Sequence, residues 1–403
     1  MNRLNRSEIW NLVEESRDDL VAFAQKLVQT PSLSGQEAEV AALIQAEMQR
    51  LDYDEVWVDK AGNVVGRLAG GGGPSLMFNG HMDHVDAGQA ARWPHPPFGG
   101  EIHGGELWGR GAADMKGALA AMVYAGGLLK KLGGELPGDR YVSGVVQEEV
   151  GGLGARHLAQ TLRPRRESSR TVDRAVIGEA SANHLRRGHR GRLELRAHFE
   201  GRSVHASMPD LGVNPHFSLG RFLRRLRSVH MVADPDYGPS SVAPTRVVSE
   251  PKSANVTPAA LDLTLDWRNI PAETTAEILT KLEAALARSL EPGCEGRIEV
   301  ATKDLATYTG FRMSYPDTFP SFTTPAGHPW LVQAQAELAA ALDRPVEVDV
   351  WRFATDGGHF AAAGAAVIGL GPGDDRVVHT VEERLPLDQL VESVVGYVAL
   401  ALT

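Results

Sequence analysis

Ser75-Leu76-Met77-Phe78-Asn79-Gly80-His81-Met82-Asp83 is the stretch from which the fold is read. The apolar run Ser75 to Phe78 reads as a strand. It passes straight into a histidine and, two residues on, an aspartate. The same figure recurs along the chain. Tyr141 to Val146 is a compact apolar strand followed at once by Gln147-Glu148-Glu149, and Ala175 to Ile177 leads into Gly178-Glu179. Ala366 to Leu370 is a further strand, and His379 lies in the loop eight residues after Gly371. Asp114 stands in a loop just before Met115 to Leu132, an Ala-rich apolar segment read as a buried helix.

Ligands of open α/β sheets bind beyond the carboxyl ends of the strands. His81, Glu148, Glu149, Glu179 and His379 are therefore predicted to converge at one sheet edge, with Asp114 beside them. Two histidines and several carboxylates in one place repel one another unless cations stand between them. A pair of zinc ions answers that need, because imidazole and carboxylate both suit zinc and a carboxylate can bridge two metals.

Outward from this core, Ile9 to Val28 recurs at helical spacing and Pro31 ends the segment. Ser34-Gly35-Gln36-Glu37 has the pattern of a capping box ahead of a second helix with Val40, Ile44 and Met48 on one face. Val64 to Leu68 and Ser75 to Phe78 flank Gly70 to Gly73, read as the loop joining two strands. The charged run Arg163 to Arg170 reads as a solvated surface loop. From about Arg190 the texture changes. Leu193, Leu195, Ala197 and Phe199 alternate with polar residues, a helix fits Pro215 to Val229, Leu261 to Leu265 alternates again, and Thr274 to Leu290 is helical. The predicted architecture is an α/β catalytic domain with a central mixed sheet, residues 1–189 and 305–403, interrupted by a smaller α+β domain at 190–304.

Composition narrows the function. The chain has 403 residues, 43% apolar and 23% charged, ordinary for a globular protein. A net charge of −10 argues against nucleic acid or an anionic membrane as a main partner. The single cysteine, Cys294, excludes an internal disulfide and a Cys-based zinc cluster. No apolar stretch approaches the roughly 20 residues of a membrane span, and the polar N-terminus carries no signal-peptide core, so a cytoplasmic location is expected.

The ordered set of Gly80-His81-Met82-Asp83, Trp93 to Phe98, Gly109-Arg110-Gly111-Ala112-Ala113-Asp114-Met115-Lys116-Gly117, Glu148-Glu149, Gly178-Glu179, Gly201-Arg202-Ser203-Val204-His205-Ala206-Ser207 with Pro209, and His379 spans about three hundred residues. It resembles the dinuclear zinc amidohydrolase and exopeptidase family of acetylornithine deacetylase, succinyl-diaminopimelate desuccinylase, aminoacylase and carboxypeptidase G. The resemblance implies a zinc-exopeptidase-like catalytic domain and a ferredoxin-like insert that serves as dimerisation or lid domain. It implies two Zn2+ per chain, with Co2+ or Mn2+ as substitutes. His81 and Glu179 would terminate one ion, and Glu149 and His379 the other. Asp114 would bridge them and precede a cis peptide. Asp83 would accept the second ring N–H of His81. Glu148 would be the general base, taking a proton from a water whose pKa falls from ~15.7 toward ~7 between two zinc ions. His205 would reach the active site of the other subunit of a homodimer as oxyanion donor. Arg268, and with it Asn255, would hold a substrate carboxylate.

Two positions stand apart. His84 departs from the family pattern, which has a small residue there, and is taken as a non-ligand. His359, in Thr355-Asp356-Gly357-Gly358-His359, falls in a glycine-rich loop near the substrate and is a candidate lining residue. The expected function is hydrolysis of an amide bond in a small molecule with a free carboxylate: an N-acyl amino acid, or the C-terminal peptide of a small substrate. A dipeptidase of the same family is the alternative, and a non-catalytic metal- or ligand-binding relative is the reading from another class. The retained Glu148 argues against the latter. A nucleotide-binding α/β protein is excluded by the lack of a properly placed Gly-rich phosphate loop.

Overall fold

The computed structural model describes residues 6–162 and 172–403. The reading of Arg163 to Arg170 lies outside them. A nine-stranded mixed sheet forms the centre, in the order Glu55–Val58, Val64–Leu68, Arg140–Val145, Leu76–His81, Arg174–Ile177, Ala366–Gly369, Leu185–His189, Phe322–Thr323, with Val348–Trp351 also paired to Leu185–His189. The four middle strands, Arg140–Val145 to Ala366–Gly369, are mutually parallel. Their carboxyl ends therefore share one edge. The register places His81 beside Val145, and Asn79 beside Ile177.

These strands are apolar on both faces because both faces are covered. Leu76, Phe78, Val142, Val176 and Ile368 pack with helices Arg17–Val28, Ala38–Arg50, Gly117–Leu132, Pro329–Leu342 and Leu387–Ala401. The alternate residues Met77, Tyr141, Ala175, Ile177 and Val367 pack on the other side with Leu158 and Phe360, from helices Leu153–Thr161 and Gly357–Ala362. A period of two thus divides each strand between two cores. Each large apolar side chain buried there contributes about 1.5–3 kcal/mol. No helix among the described residues is long and apolar enough to cross a membrane.

A second, antiparallel sheet carries its own core. Its order is Ser241–Glu250, Ala260–Arg268, Arg192–Glu200, Glu295–Val300, with Thr318–Phe319 added at the start of Arg192–Glu200. With helices Pro215–Leu226 and Thr275–Ala287, the chain order is βαββαβ, the ferredoxin-like arrangement. Leu193, Leu195, Phe199, Leu263, Trp267, Phe222 and Leu282 form the core. Thr274 caps its helix in a true capping box with Glu277. The strand Thr302–Ala306, paired with Arg312–Pro316, runs through the expected boundary at 304.

Two local expectations are corrected. The opening helix is two, Arg6–Glu15 and Arg17–Val28, because the Ser16 hydroxyl donates back to Leu12 and Val13 carbonyls and interrupts the ladder. Ser34 to Glu37 is not a capping box. Helix Ala38–Arg50 has no side-chain cap, and both side chains are committed elsewhere, Ser34 to Asp83 and Glu37 to the N–H groups of Gly35 and Gln147. Gly70 to Gly73 does lie in the loop joining Val64–Leu68 to Leu76–His81, and Arg140–Val145 lies between those two strands in the sheet.

Candidate metal centre

The shared strand edge gathers the predicted side chains. His81 ends its strand, Glu148 opens a short helix Glu148–Gly151 just past Val145, and Glu179 follows Ile177. A Cβ at Gly178 before it would stand 2.3 Å from Met122 Cε and 2.8 Å from Met115 Cε, so both methionine side chains would have to shift to admit one. His379 arrives from the loop beyond Ala366–Gly369. Asp114 lies between the two histidines. Its Oδ1 is 2.9 Å from His81 Nε2, and its Oδ2 is 3.0 Å from His379 Nε2. Glu179 stands on the His81 side at 3.6 Å, and Glu149 on the His379 side at 3.1 Å. The Asp114–Met115 peptide is cis.

Donors around a tetrahedral zinc, each about 2.0–2.1 Å from the ion, stand roughly 3.3 Å apart. The separations of 2.9–3.6 Å fit that donor set, and His81, Asp114 and Glu149 each offer an atom within 4.8 Å of the others.

The electrostatics say the same. Burial, then Asp356, pushes Glu148 well above the carboxylate range. Burial and the Asp114 charge raise Glu179 and Glu149. Burial pushes Asp356 up to about 7. Hydrogen bonds to the Asp114 and Glu149 carboxylates push His379 up to about 10, and Asp114 holds His81 well above its ordinary value against burial. Without a cation, burial and mutual repulsion favour the protonated forms of Glu148, Glu149 and Glu179, while the two imidazoles hold Asp114 below its ordinary value.

Asp83 supports the cluster differently from expectation. His81 Nδ1 donates to the main-chain carbonyl of Asp83 at 2.9 Å, while the carboxylate lies at 3.6 Å. That carboxylate instead accepts the N–H groups of Glu148 and Glu149 at 3.1 and 3.2 Å and the Ser34 hydroxyl at 2.6 Å. It anchors the turn that aims the adjacent glutamates apart. Gln147 enters that turn at φ +57°. Glu383 was not foreseen. Fully buried, it accepts the N–H groups of Ala113 and Asp114 at 3.2 Å each and pairs with Arg110. Arg110 was visible in the Gly109-Arg110-Gly111 run, but its partner lies 273 residues away. Buried Asp356, also unforeseen, receives the Asn79 amide.

An open cleft of about 560 Å³ leads to the cluster, lined by Glu148, Glu149, Glu179, His379, Phe319 and Phe353, and by Arg192, Arg268 and Lys303 at the insert side. Arg268 is oriented by Asp266, its Nε 2.6 Å from Oδ1. His359 does not line this cleft. It is buried behind Phe319, ring centroids 5.5 Å apart, and burial lowers it to about 3. His205 and Asn255 are exposed and adjacent on the insert, joined by the Ala206 N–H to the Asn255 carbonyl, and neither lines the cleft of its own chain. His84 is buried with both ring nitrogens used, accepting from Ser32 N–H and donating to the Val85 carbonyl. Trp93 packs under the Arg110 guanidinium at 5.0 Å. The basic stretch from Arg186 to Arg192 is structural, with Arg187 on Asp236 and Arg192 on Glu194, Asp266 and Asp317.

Residues 77–403 match peptidase family M20/M25/M40. The chain belongs to this family. It is 31% identical over 357 residues to a succinyl-diaminopimelate desuccinylase of Alkalilimnicola ehrlichii, covering 84% of each chain. It is 29% identical over 402 residues to the uncharacterized protein YgeY of Escherichia coli K12, covering 97% of this chain and 96% of that one. Among solved structures, Bacillus subtilis YxeP, a dinuclear metal-binding M20 peptidase, superposes with a TM-score of 0.71 at 16% identity, over 96% of this chain and 98% of that one. The protein is an M20-family hydrolase.

Proposed function

We propose that this hydrolase uses two zinc ions, replaceable by cobalt or manganese, to cleave the amide bond of an N-acyl amino acid, as a deacetylase or desuccinylase does, or the C-terminal peptide bond of a small substrate. The observation that carries the reading is Asp114 sharing its two oxygens between two imidazoles, each flanked by its own glutamate. On this reading His81 and Glu179 hold one ion, Glu149 and His379 the other, and Asp114 both. When bound, such a metal pair polarises the carbonyl and lowers the pKa of water toward ~7.

The chain's own residues supply the rest. Glu148 is buried beside the cluster and kept from ready ionisation. A carboxyl of raised pKa suits a group that accepts a proton from water and returns it to the leaving nitrogen. Asp83 fixes its backbone. Arg268, on the cleft wall and oriented by Asp266, offers a guanidinium fork to the substrate carboxylate. His205 and Asn255, exposed outside their own cleft, serve the cleft of a second copy in a homodimer, where His205 would donate to the oxyanion.

The test is a panel of N-acetyl, N-succinyl and N-formyl amino acids beside dipeptides, each with its carboxylate free or esterified, assayed on zinc-loaded protein. Turnover of one class, dependent on the free carboxylate, is the expected result. Turnover chiefly of dipeptides makes the enzyme a dipeptidase, and no turnover of any member under metal loading sinks the reading.

A further inference from the structure

A second group of metal-type donors lies on the surface, outside the cleft. His95, Glu101 and His103 each offer an atom within 4.8 Å of the others. Both imidazoles turn to one oxygen: Glu101 Oε2 is 2.8 Å from His103 Nε2 and 3.6 Å from His95 Nδ1. These separations are close to the 2.9–3.6 Å between donors in the buried cluster. We infer that these three side chains form a further divalent-metal site, taking an ion of the zinc class (Zn2+, Co2+, Ni2+ or Cu2+) through two imidazoles and one carboxylate, with solvent completing the shell.

The local chain preorganises the donors. His95 stands in Trp93-Pro94-His95-Pro96-Pro97. Each proline fixes its own φ and holds the residue before it extended, so the loop is stiff. The Gly99 N–H closes it onto the Pro96 carbonyl at 2.9 Å. Glu101 and His103 are two apart on the strand Glu101–His103 and so project from one face. Gly104 and Gly105, at φ +61° and +81°, form the two-residue turn into Glu106–Trp108, a conformation side chains resist. Trp108 sets its edge against the His95 ring at 4.9 Å and is itself covered by the Arg384 guanidinium at 5.0 Å. Two donors thus ride on a hairpin and the third on a proline-clamped loop, so the backbone has little conformational entropy to lose on binding.

The two imidazoles lie parallel, with centroids 3.7 Å apart. Stacked rings do not aim both lone pairs at one point, so capture requires one ring to turn. His103 is the freer, its side chain 48% exposed, and exposed side chains change rotamer in picoseconds to nanoseconds. Imidazole with carboxylate selects zinc-class ions over Mg2+ and Ca2+, which prefer oxygen donors throughout.

The experiment is calorimetric titration of the full chain with Zn2+, with metal counted after gel filtration. Wild type should hold one equivalent more than His95→Ala or His103→Ala, and Glu101→Gln, nearly isosteric, should weaken the same equivalent. Ni2+ or Cu2+ bound there should quench Trp108 emission in wild type and not in the histidine variants, while Mg2+ and Ca2+ should leave that emission unchanged. Asp114→Asn should remove metal from the buried cluster and spare this equivalent. Identical stoichiometry and quenching in wild type and in all three variants of His95, Glu101 and His103 would overturn the site, whatever Asp114→Asn does. Loss in those variants with no change in Asp114→Asn would instead uphold it and count against the reading of the cleft.

Discussion

The two walls of the cleft treat charge in opposite ways. On the sheet edge, Asp83, Asp114, Glu148, Glu149, Glu179 and Asp356 gather around two imidazoles, His81 and His379. On the insert side, Glu194, Asp266 and Asp317 are matched by Arg192, Arg268 and Lys303, at 2.6 to 3.3 Å. That wall is balanced by its own side chains. The sheet edge is not, and its acids sit in a buried, low-dielectric setting where unpaired charge is most costly. The difference teaches where the missing positive charge must enter: the sheet edge is made to receive cations from solution, and the insert to meet an anion without needing one.

The largest test of that contrast is to remove its pivot. Asp114→Asn should abolish metal retention and lower turnover by more than the roughly 10–100-fold typical of groups behind a metal site; metal content and rate measured together check it. Next, Glu148→Ala should keep its metal yet lose about 10²–10⁴-fold in kcat. On the proposal that His205 serves the cleft of a second subunit, mixing its subunits with His205→Ala subunits should regain activity that neither has, since one cleft of such a mixed dimer would be intact. Full activity of the Glu148 variant removes it as the base, and no regain on mixing removes the shared site.

On the balanced wall the effect is smaller. Arg268→Ala should raise KM about tenfold for substrates with a free carboxylate, the scale of one charged hydrogen bond at a half-exposed position, with kcat little changed. An unaltered KM denies it contact with substrate.

The subtlest test is pH. In the metal-free chain Glu148, Glu149 and Glu179 are raised and His379 is pushed up to about 10. A folded state whose groups hold protons that the unfolded chain has released loses stability as pH rises. For His379 that contribution is full below about 6.5 and fades as pH climbs through about 10. Metal displaces the same protons and so binds more tightly at higher pH. The Tm gap between zinc-loaded and chelated protein should therefore widen from pH 6 to pH 9, and a constant gap contradicts the assignment.

Much of the sheet edge was legible because strand ends leave little freedom. Once Leu76–His81, Arg140–Val145 and Arg174–Ile177 are strands of one parallel sheet, the residues after them meet. What escaped were partnerships made through the backbone across the chain. Ser34 and Glu37 have the spacing of a local cap, yet both turn to the Asp83 and Gln147 region. Glu383 acts on main-chain N–H groups, which no residue pattern near Asp114 reveals. The strand Ser241–Glu250 is exposed along most of its length and interrupted by Pro244, so it carries no alternation to read. The His95, Glu101 and His103 cluster is hidden for a related reason: one donor comes from a proline-rich loop and the others from a hairpin of two three-residue strands, too short to show a period.

The placement of Glu383 bears on how the protein is born. The peptide it steadies, Ala113–Asp114, leaves the ribosome some 270 residues earlier. His379 comes as late. The strands Leu76–His81, Arg140–Val145 and Arg174–Ile177 are translated well before either residue, so the donor cluster stays incomplete until His379 and Glu383 have both emerged.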